Sequence, residues 1–259
     1  IVCGDGVEYL RQMGPVDFIY LDPARRDEHG SRTYAIEDCT PNVFELRDLL
    51  LVKSQYTLVK LSPMLDWRKA VADFDGAVRE VHIVTNGNEY KEMLQVLCQQ
   101  VHEEPSAPRV FCVNDNQRID YDSAAYTQGL RIGGKPLPEA KNYLYEPNAS
   151  IMKAGCFDLV EERFGVTQVG PSSHLFVSAT PVADFPGRGF AIEAIGGMNK
   201  KDIKRLLNGT KQANIAVRNF PLTAPQLRKK LKLADGGPVY LFGTTMQGCD
   251  HVLLRTSKI

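Results

Sequence analysis

Two short acid-bearing segments carry the clearest chemistry in this 259-residue sequence. Asp22 stands in Asp22-Pro23-Ala24-Arg25, directly after the apolar run Phe18-Ile19-Tyr20-Leu21. Asp5 stands in Cys3-Gly4-Asp5-Gly6, after Ile1 and Val2. A carboxylate directly after a buried strand sits where chemistry is usually done. Open α/β sheets bind ligands just beyond the carboxyl ends of their strands. Both acids fall at such positions, so two successive strand ends are expected side by side over one edge of a sheet. The plain alternative for Asp22 is a turn in which its carboxylate accepts backbone hydrogen bonds.

Further candidates surround this pair. The stretch from Arg25 to Thr40 is polar and longer than most connections. In it, Arg25, Arg26 and Arg32 can reach phosphates, and His29 or Tyr34 can stack on a base. A solvated loop with incidental charge is the alternative, and His29 as a general base is a weaker one. Lys60 lies near the end of another apolar run, before Ser62-Pro63, and either snorkels to the surface or contacts a phosphate or cofactor. Net charge is zero, yet between residues 199 and 232 ten Lys and Arg face the single acid Asp202. Lys200, Lys201, Lys204 and Arg205, with Arg228, Lys229 and Lys230, can align one positive face for nucleic acid. A solvated helix face is the competing reading.

The elements that must position these residues are legible from pattern. Residues 1–4, 17–22, 56–61 and 79–85 read as strands, and 6–12, 41–52 and 66–73 as helices, an alternation that implies βαβ units and a parallel sheet. Within 17–22, Phe18-Ile19-Tyr20-Leu21 form an unbroken apolar run, the mark of a strand buried on both faces. Thr40 is the expected N-cap of the second helix, with Pro41 in its first turn. Asn86-Gly87 signals a hairpin at the sheet's edge, residues 89–98 fit a helix or a returning strand, and 109–113 read as a strand. A helix is expected over 149–164, closed by Gly165, and strands at 175–179, 189–195, 214–219, 239–243 and 251–255. Asn199 caps one basic helix, and Thr223 and Gln226 form a capping box for the other.

Composition narrows the class. With 43% hydrophobic and 24% charged residues, this is an ordinary globular chain, and no run is apolar enough to span a membrane. Six scattered cysteines, with no paired CxxC spacing and no histidines at ligand spacing, argue against a metal site and for a reducing, cytoplasmic setting.

The acid pair resembles class I S-adenosylmethionine (SAM)-dependent methyltransferases. The resemblance implies that Asp5 and Gly6 meet the adenine of SAM. It implies that Asp22, Pro23, Ala24 and Arg25 shape the catalytic pocket where the methyl meets its acceptor, with Asp22 touching both cofactor and acceptor. Residues 143–155, Tyr-Leu-Tyr-Glu-Pro-Asn-Ala-Ser-Ile-Met-Lys-Ala-Gly, are similar to a stretch of Bacteroidota-type class I methyltransferases that carry a THUMP-like C-terminal domain. The 58–63 strand end and the 217–243 region resemble the same family. The implied architecture is α/β: the C-terminal half of a Rossmann-like methyltransferase sheet over 1–140, a small ferredoxin-like α+β domain over 141–190, and a THUMP-like α/β domain over 191–259. The family's glycine-rich loop after its first strand, and the acid after its second, have no counterpart here. Gly133-Gly134 and Gly196-Gly197 read as turns. The N-terminal part of the domain is therefore expected to be missing, and this chain alone to be inactive.

The implied function is SAM-dependent methylation of a base in RNA, tRNA or rRNA, with RNA bound by Arg26, Arg32 and the basic residues of 199–232. Two alternatives stand beside it: a catalytically inactive RNA-binding adaptor on a methyltransferase scaffold, and methylation of a small molecule or protein.

Overall fold

In a computed structural model of the chain, residues 1–24, 39–99, 107–126, 141–248 and 250–259 are described. Arg25, Arg26, His29, Arg32 and Tyr34, singled out above, lie outside them. The chain divides into two compact units, Ile1–Thr127 and Gln128–Ile259. Among the described residues no helix is long and apolar enough to cross a membrane.

The first unit runs α1 (Gly6–Gln12), β1 (Val16–Leu21), α2 (Val43–Lys53), β2 (Ser54–Leu61), α3 (Trp67–Asp73), β3 (Val78–Asn86), β4 (Glu89–Cys98), β5 (Arg109–Asn114) and β6 (Gln117–Asp122). Its six strands form one sheet in the order β1-β2-β4-β3-β5-β6. β1 and β2 are parallel, as are β3 and β5, whereas β4 runs antiparallel to both its neighbours. The hairpin read from Asn86-Gly87 therefore does not end the sheet. Its central residues are Gly87 and Asn88, both with positive φ (58° and 63°), and the returning strand β4 is slotted between β2 and β3. A second hairpin, β5–β6, forms that edge.

Alternation along the strands explains the layers. Val59, Gln95 and Val81 are register partners and fully buried, as are Leu61, Met93 and Ile83 around them. The buried Val43, Leu46 and Leu50 of α2, and Trp67 and Ala70 of α3, supply the helical side of that core. Their neighbours Leu58, Val96, Leu94 and Val84 point to the opposite face and are only half-buried.

Three expectations fail here. Residues 1–4 form no strand and are exposed, so Asp5 is not at a strand end. β1 is an exposed edge strand rather than one buried on both faces: Phe18 and Tyr20 are 54% and 55% accessible. The N-cap of α2 is Asn42, whose side chain accepts from the Phe44 N–H at 3.1 Å. Thr40 instead pairs its backbone with Ala24, and the Thr40–Pro41 peptide is cis.

The second unit runs β7 (Tyr143–Pro147), α4 (Ala149–Ala154), α5 (Phe157–Phe164), β8 (Thr167–Gln168), β9 (Phe176–Ser178), β10 (Gly187–Gly196), α6 (Lys200–Leu207), β11 (Asn214–Arg218), α7 (Ala224–Leu231), β12 (Val239–Thr245) and β13 (His251–Lys258). The single helix expected over 149–164 is two, because Gly155 takes a left-handed conformation (φ 67°) that ends α4. The seven strands form one sheet, β11-β12-β13-β10-β7-β9-β8. Three strands separate β11 from β7, yet Arg218 at the end of β11 reaches Glu146 on β7 at 2.7 Å. The sheet therefore curls back on itself, around a core of Leu144, Val177, Phe190, Phe242 and Leu254. Gly170 sits in this closure, where a Cβ would fall 2.3 Å from the Thr245 carbonyl oxygen. A second core, of Leu206, Leu227, Leu231, Leu241 and Leu253, joins α6 and α7 to β12 and β13.

Candidate functional site

Asp22 follows the last residue of β1, beside the parallel strand β2. Its carboxylate is 44% exposed and accepts a hydrogen bond from Lys60 Nζ at 3.0 Å. Lys60 also faces Glu92 of β4 at 3.7 Å, and its own side chain is only 20% exposed. The hydrogen bond to Asp22 raises the Lys60 pKa against the opposing effect of burial, so the ammonium stays charged. Among the described residues, two carboxylates flanking one ammonium leave a net negative, half-open site at the ends of β1 and β2. Such a site favours a hydrogen-bond donor such as an amine. Pro23 is buried and stiffens the turn, while Ala24 exchanges two backbone hydrogen bonds with Thr40. Of the residues assigned here from sequence, Asp22, Pro23, Ala24 and Lys60 are brought into one neighbourhood, and Arg25 lies outside the described residues. Glu92 was not anticipated, because 89–98 fitted helix and strand equally. The hairpin signal at Asn86-Gly87 was the clue that these residues return as a strand.

Asp5 has a local role: its side chain N-caps α1, accepting from the Glu8 N–H at 2.8 Å through Oδ1. Gly6 opens the helix, and nothing lies within 4 Å of where its Cβ would be. Together with Ile1, Val2, Gly4 and Tyr9 these residues line an open depression of about 360 Å³.

The basic segment separates into two kinds of residue. Arg205 donates to the Ile195 carbonyl at 2.7 Å and to Asp202 at 3.1 Å. Arg228 donates to the carbonyls of Ala213 and Ala234 and pairs with Asp235 at 2.6 Å. Both guanidiniums hold the fold. Lys200, Lys201 and Lys204 on α6, and Lys229 and Lys230 on α7, are exposed and make no ion pair among the described residues. Asp202, the segment's acid, is turned inward to the Gly197 N–H, which with Asn199 and Arg205 holds its pKa down.

Comparison with known proteins defines the class. Residues 143–186 match the family model of a ferredoxin-like domain, and residues 187–258 match that of a THUMP domain-like family. The second unit is a ferredoxin-like domain followed by a THUMP-like domain, joined through one sheet by the β7–β10 pairing. The chain as a whole is similar to the crystal structure of a putative methyltransferase from Porphyromonas gingivalis W83, with 34% identity and a TM-score of 0.85. That similarity covers 98% of this chain and 63% of the other, so this chain spans less than two thirds of its relative's length. None of the curated proteins matches. The chain therefore has a mixed α/β fold like that of this putative methyltransferase, with ferredoxin-like and THUMP-like domains in its C-terminal region, as residues 143–155 led us to expect.

Proposed function

We propose that this chain is the acceptor-side part of a SAM-dependent methyltransferase that modifies a base in RNA, tRNA or rRNA, in the cytoplasm. The observation that carries the reading is the Asp22–Lys60–Glu92 cluster at the ends of two parallel strands, on a chain whose relative is described as a putative methyltransferase. SAM, when bound, supplies an electrophilic methyl group. Asp22 accepts an N–H of the target base and aims the nitrogen's lone pair, Lys60 fixes the carboxylate's rotamer, and Pro23 and Ala24 shape the slot. Catalysis of this kind is positioning plus electrostatic stabilisation of charge developing on the nucleophile. The target base must be splayed out or single-stranded to reach it. Lys200, Lys201, Lys204, Lys229 and Lys230 hold the RNA through its phosphates, in keeping with the THUMP-like match.

One observation favours the adaptor reading: Asp5 already serves α1 as its N-cap, so its carboxylate has a structural reason to be there. SAM binding separates the two. Calorimetric titration of SAM into the chain extended to the length of its relative should show saturable binding that weakens in Asp5→Ala. No binding to the extended protein would establish the adaptor.

A further inference from the structure

The second unit holds a buried carboxylate that the reading above does not use. Glu146, in the 143–155 stretch, has a side chain only 5% exposed, and two guanidiniums converge on it. Arg188, its register partner across β7–β10, donates from Nε and Nη2 to Oε2. Arg218 donates from Nη2 to Oε1 at 2.7 Å and from Nη1 to the Val217 carbonyl at 3.1 Å. Both oxygens of Glu146 are thereby satisfied.

The arginines are not. Two cations share one anion, leaving one positive charge, and no other carboxylate pairs with either among the described residues. Their side chains are 48% and 38% exposed, so this charge faces outward. Arg218 Nε is buried without a partner, and Arg188 Nη1 has none among the described residues. Beside Arg218 stands His174, half-buried and stacked on Phe157 with ring centroids 4.6 Å apart. Burial and the Arg218 charge both lower the His174 pKa, so this ring is a neutral aromatic surface at pH 7.

Buried Glu146 holds the two guanidiniums in fixed orientation. Guanidinium forks match phosphate oxygens, and an adjoining aromatic face is what a nucleotide stacks on. We infer that Arg188 and Arg218, oriented by Glu146 at the seam between the ferredoxin-like and THUMP-like domains, bind one phosphodiester of single-stranded RNA, whose neighbouring base lies against the His174–Phe157 stack. The residual single positive charge matches the single negative charge of a phosphodiester. Glu146 is a positioning residue here. The inference rests on the RNA-binding reading above and adds a specific site to it.

The test is binding of a short fluorescent single-stranded RNA by anisotropy across a salt series. The proteins are wild type, Arg188→Gln, Glu146→Gln and the Lys229→Glu/Lys230→Glu double variant, each checked for folding by circular dichroism. Arg188→Gln should weaken binding about tenfold and reduce the slope of log K against log salt by about 0.7, one single-strand phosphate. Glu146→Gln should tighten binding severalfold, because the amide keeps the volume and a carbonyl acceptor that orient the arginines while removing the anion that competes with the phosphate for them. The opposite signs matter: a merely structural clasp would lower the melting temperature in both variants and raise affinity in neither. Unchanged affinity in folded Arg188→Gln, or no gain in Glu146→Gln, overturns the inference. If the lysine variant loses RNA while Arg188→Gln keeps it, the RNA reading stands and this site falls. If wild type binds no RNA, both fall.

Discussion

Replacing Asp22 by Asn should leave the first unit's stability nearly intact, which is what a carboxylate reserved for chemistry requires. The Asp22–Lys60 hydrogen bond is 3.0 Å long, but Asp22 is 44% exposed, so solvent screens it. Lys60 keeps Glu92 at 3.7 Å, so no buried charge is orphaned. Pairs of this kind contribute about 0.2–1 kcal/mol. The assay is urea unfolding followed by tryptophan fluorescence. Trp67 is the sole tryptophan and is 4% exposed in α3, so it reports the first unit alone. With a slope of about 2 kcal/mol/M, the midpoint should shift by no more than about 0.5 M. Asp66→Ala calibrates the method: this N-cap accepts from the Arg68 and Lys69 N–H groups, and its loss should cost about 1 kcal/mol. A loss above about 2 kcal/mol in Asp22→Asn would refute the reasoning, because it would show that Asp22 anchors the strand end.

Other substitutions discriminate further. Phe18→Ser with Tyr20→Ser should change the stability read from the same urea curve by less than about 0.5 kcal/mol in this chain, since both side chains are exposed; a loss of several kcal/mol would mean that β1 is buried. Arg228→Ala should destabilise the second unit by about 2 kcal/mol, through loss of its bonds to Ala213, Ala234 and Asp235. Lys229→Glu with Lys230→Glu should leave melting by circular dichroism unchanged while abolishing RNA retention. Because burial and then Arg218 depress the His174 pKa, unfolding lets this group take up a proton near its ordinary value of 6.5. Its contribution is therefore complete above pH 6.5 and lost as pH falls through the folded-state value. The melting temperature should decline on acidification, less steeply in His174→Asn, a residue that tolerates the local φ of 51°. Equal slopes would remove His174 from the account.

Where local chemistry decides the structure, the sequence was informative. The Thr223–Gln226 capping box, the Asn199 cap and the positions of β2, β3, β5 and β9 to β13 follow from side chains acting on nearby backbone. Misreadings arose where a residue's environment is set by distant strands. The run 18–21 is apolar enough for a central strand, but pattern reports suitability for burial, and within this chain, which spans 63% of its relative, β1 lies at an edge. Residues 1–4 have strand-like composition and no strand beside them among the described residues. At the site, Asp22 was legible because an acid after an apolar run is a local signal. Its partner Glu92 was not, because their proximity depends on β4 entering between β2 and β3. The Glu146 clasp escaped notice because Arg218 is 72 residues away and meets it only when the sheet curls.

The central claim is that Asp22 presents an RNA base for methylation, and transfer of radiolabelled methyl from SAM to total cellular RNA tests it most directly. The chain should be completed to the length of its relative and compared with the same protein carrying Asp22→Ala, shown by Trp67 fluorescence to be folded. The account predicts label in RNA with the first protein and none with the second. Equal labelling by both would contradict the site, and no labelling by either would contradict the activity.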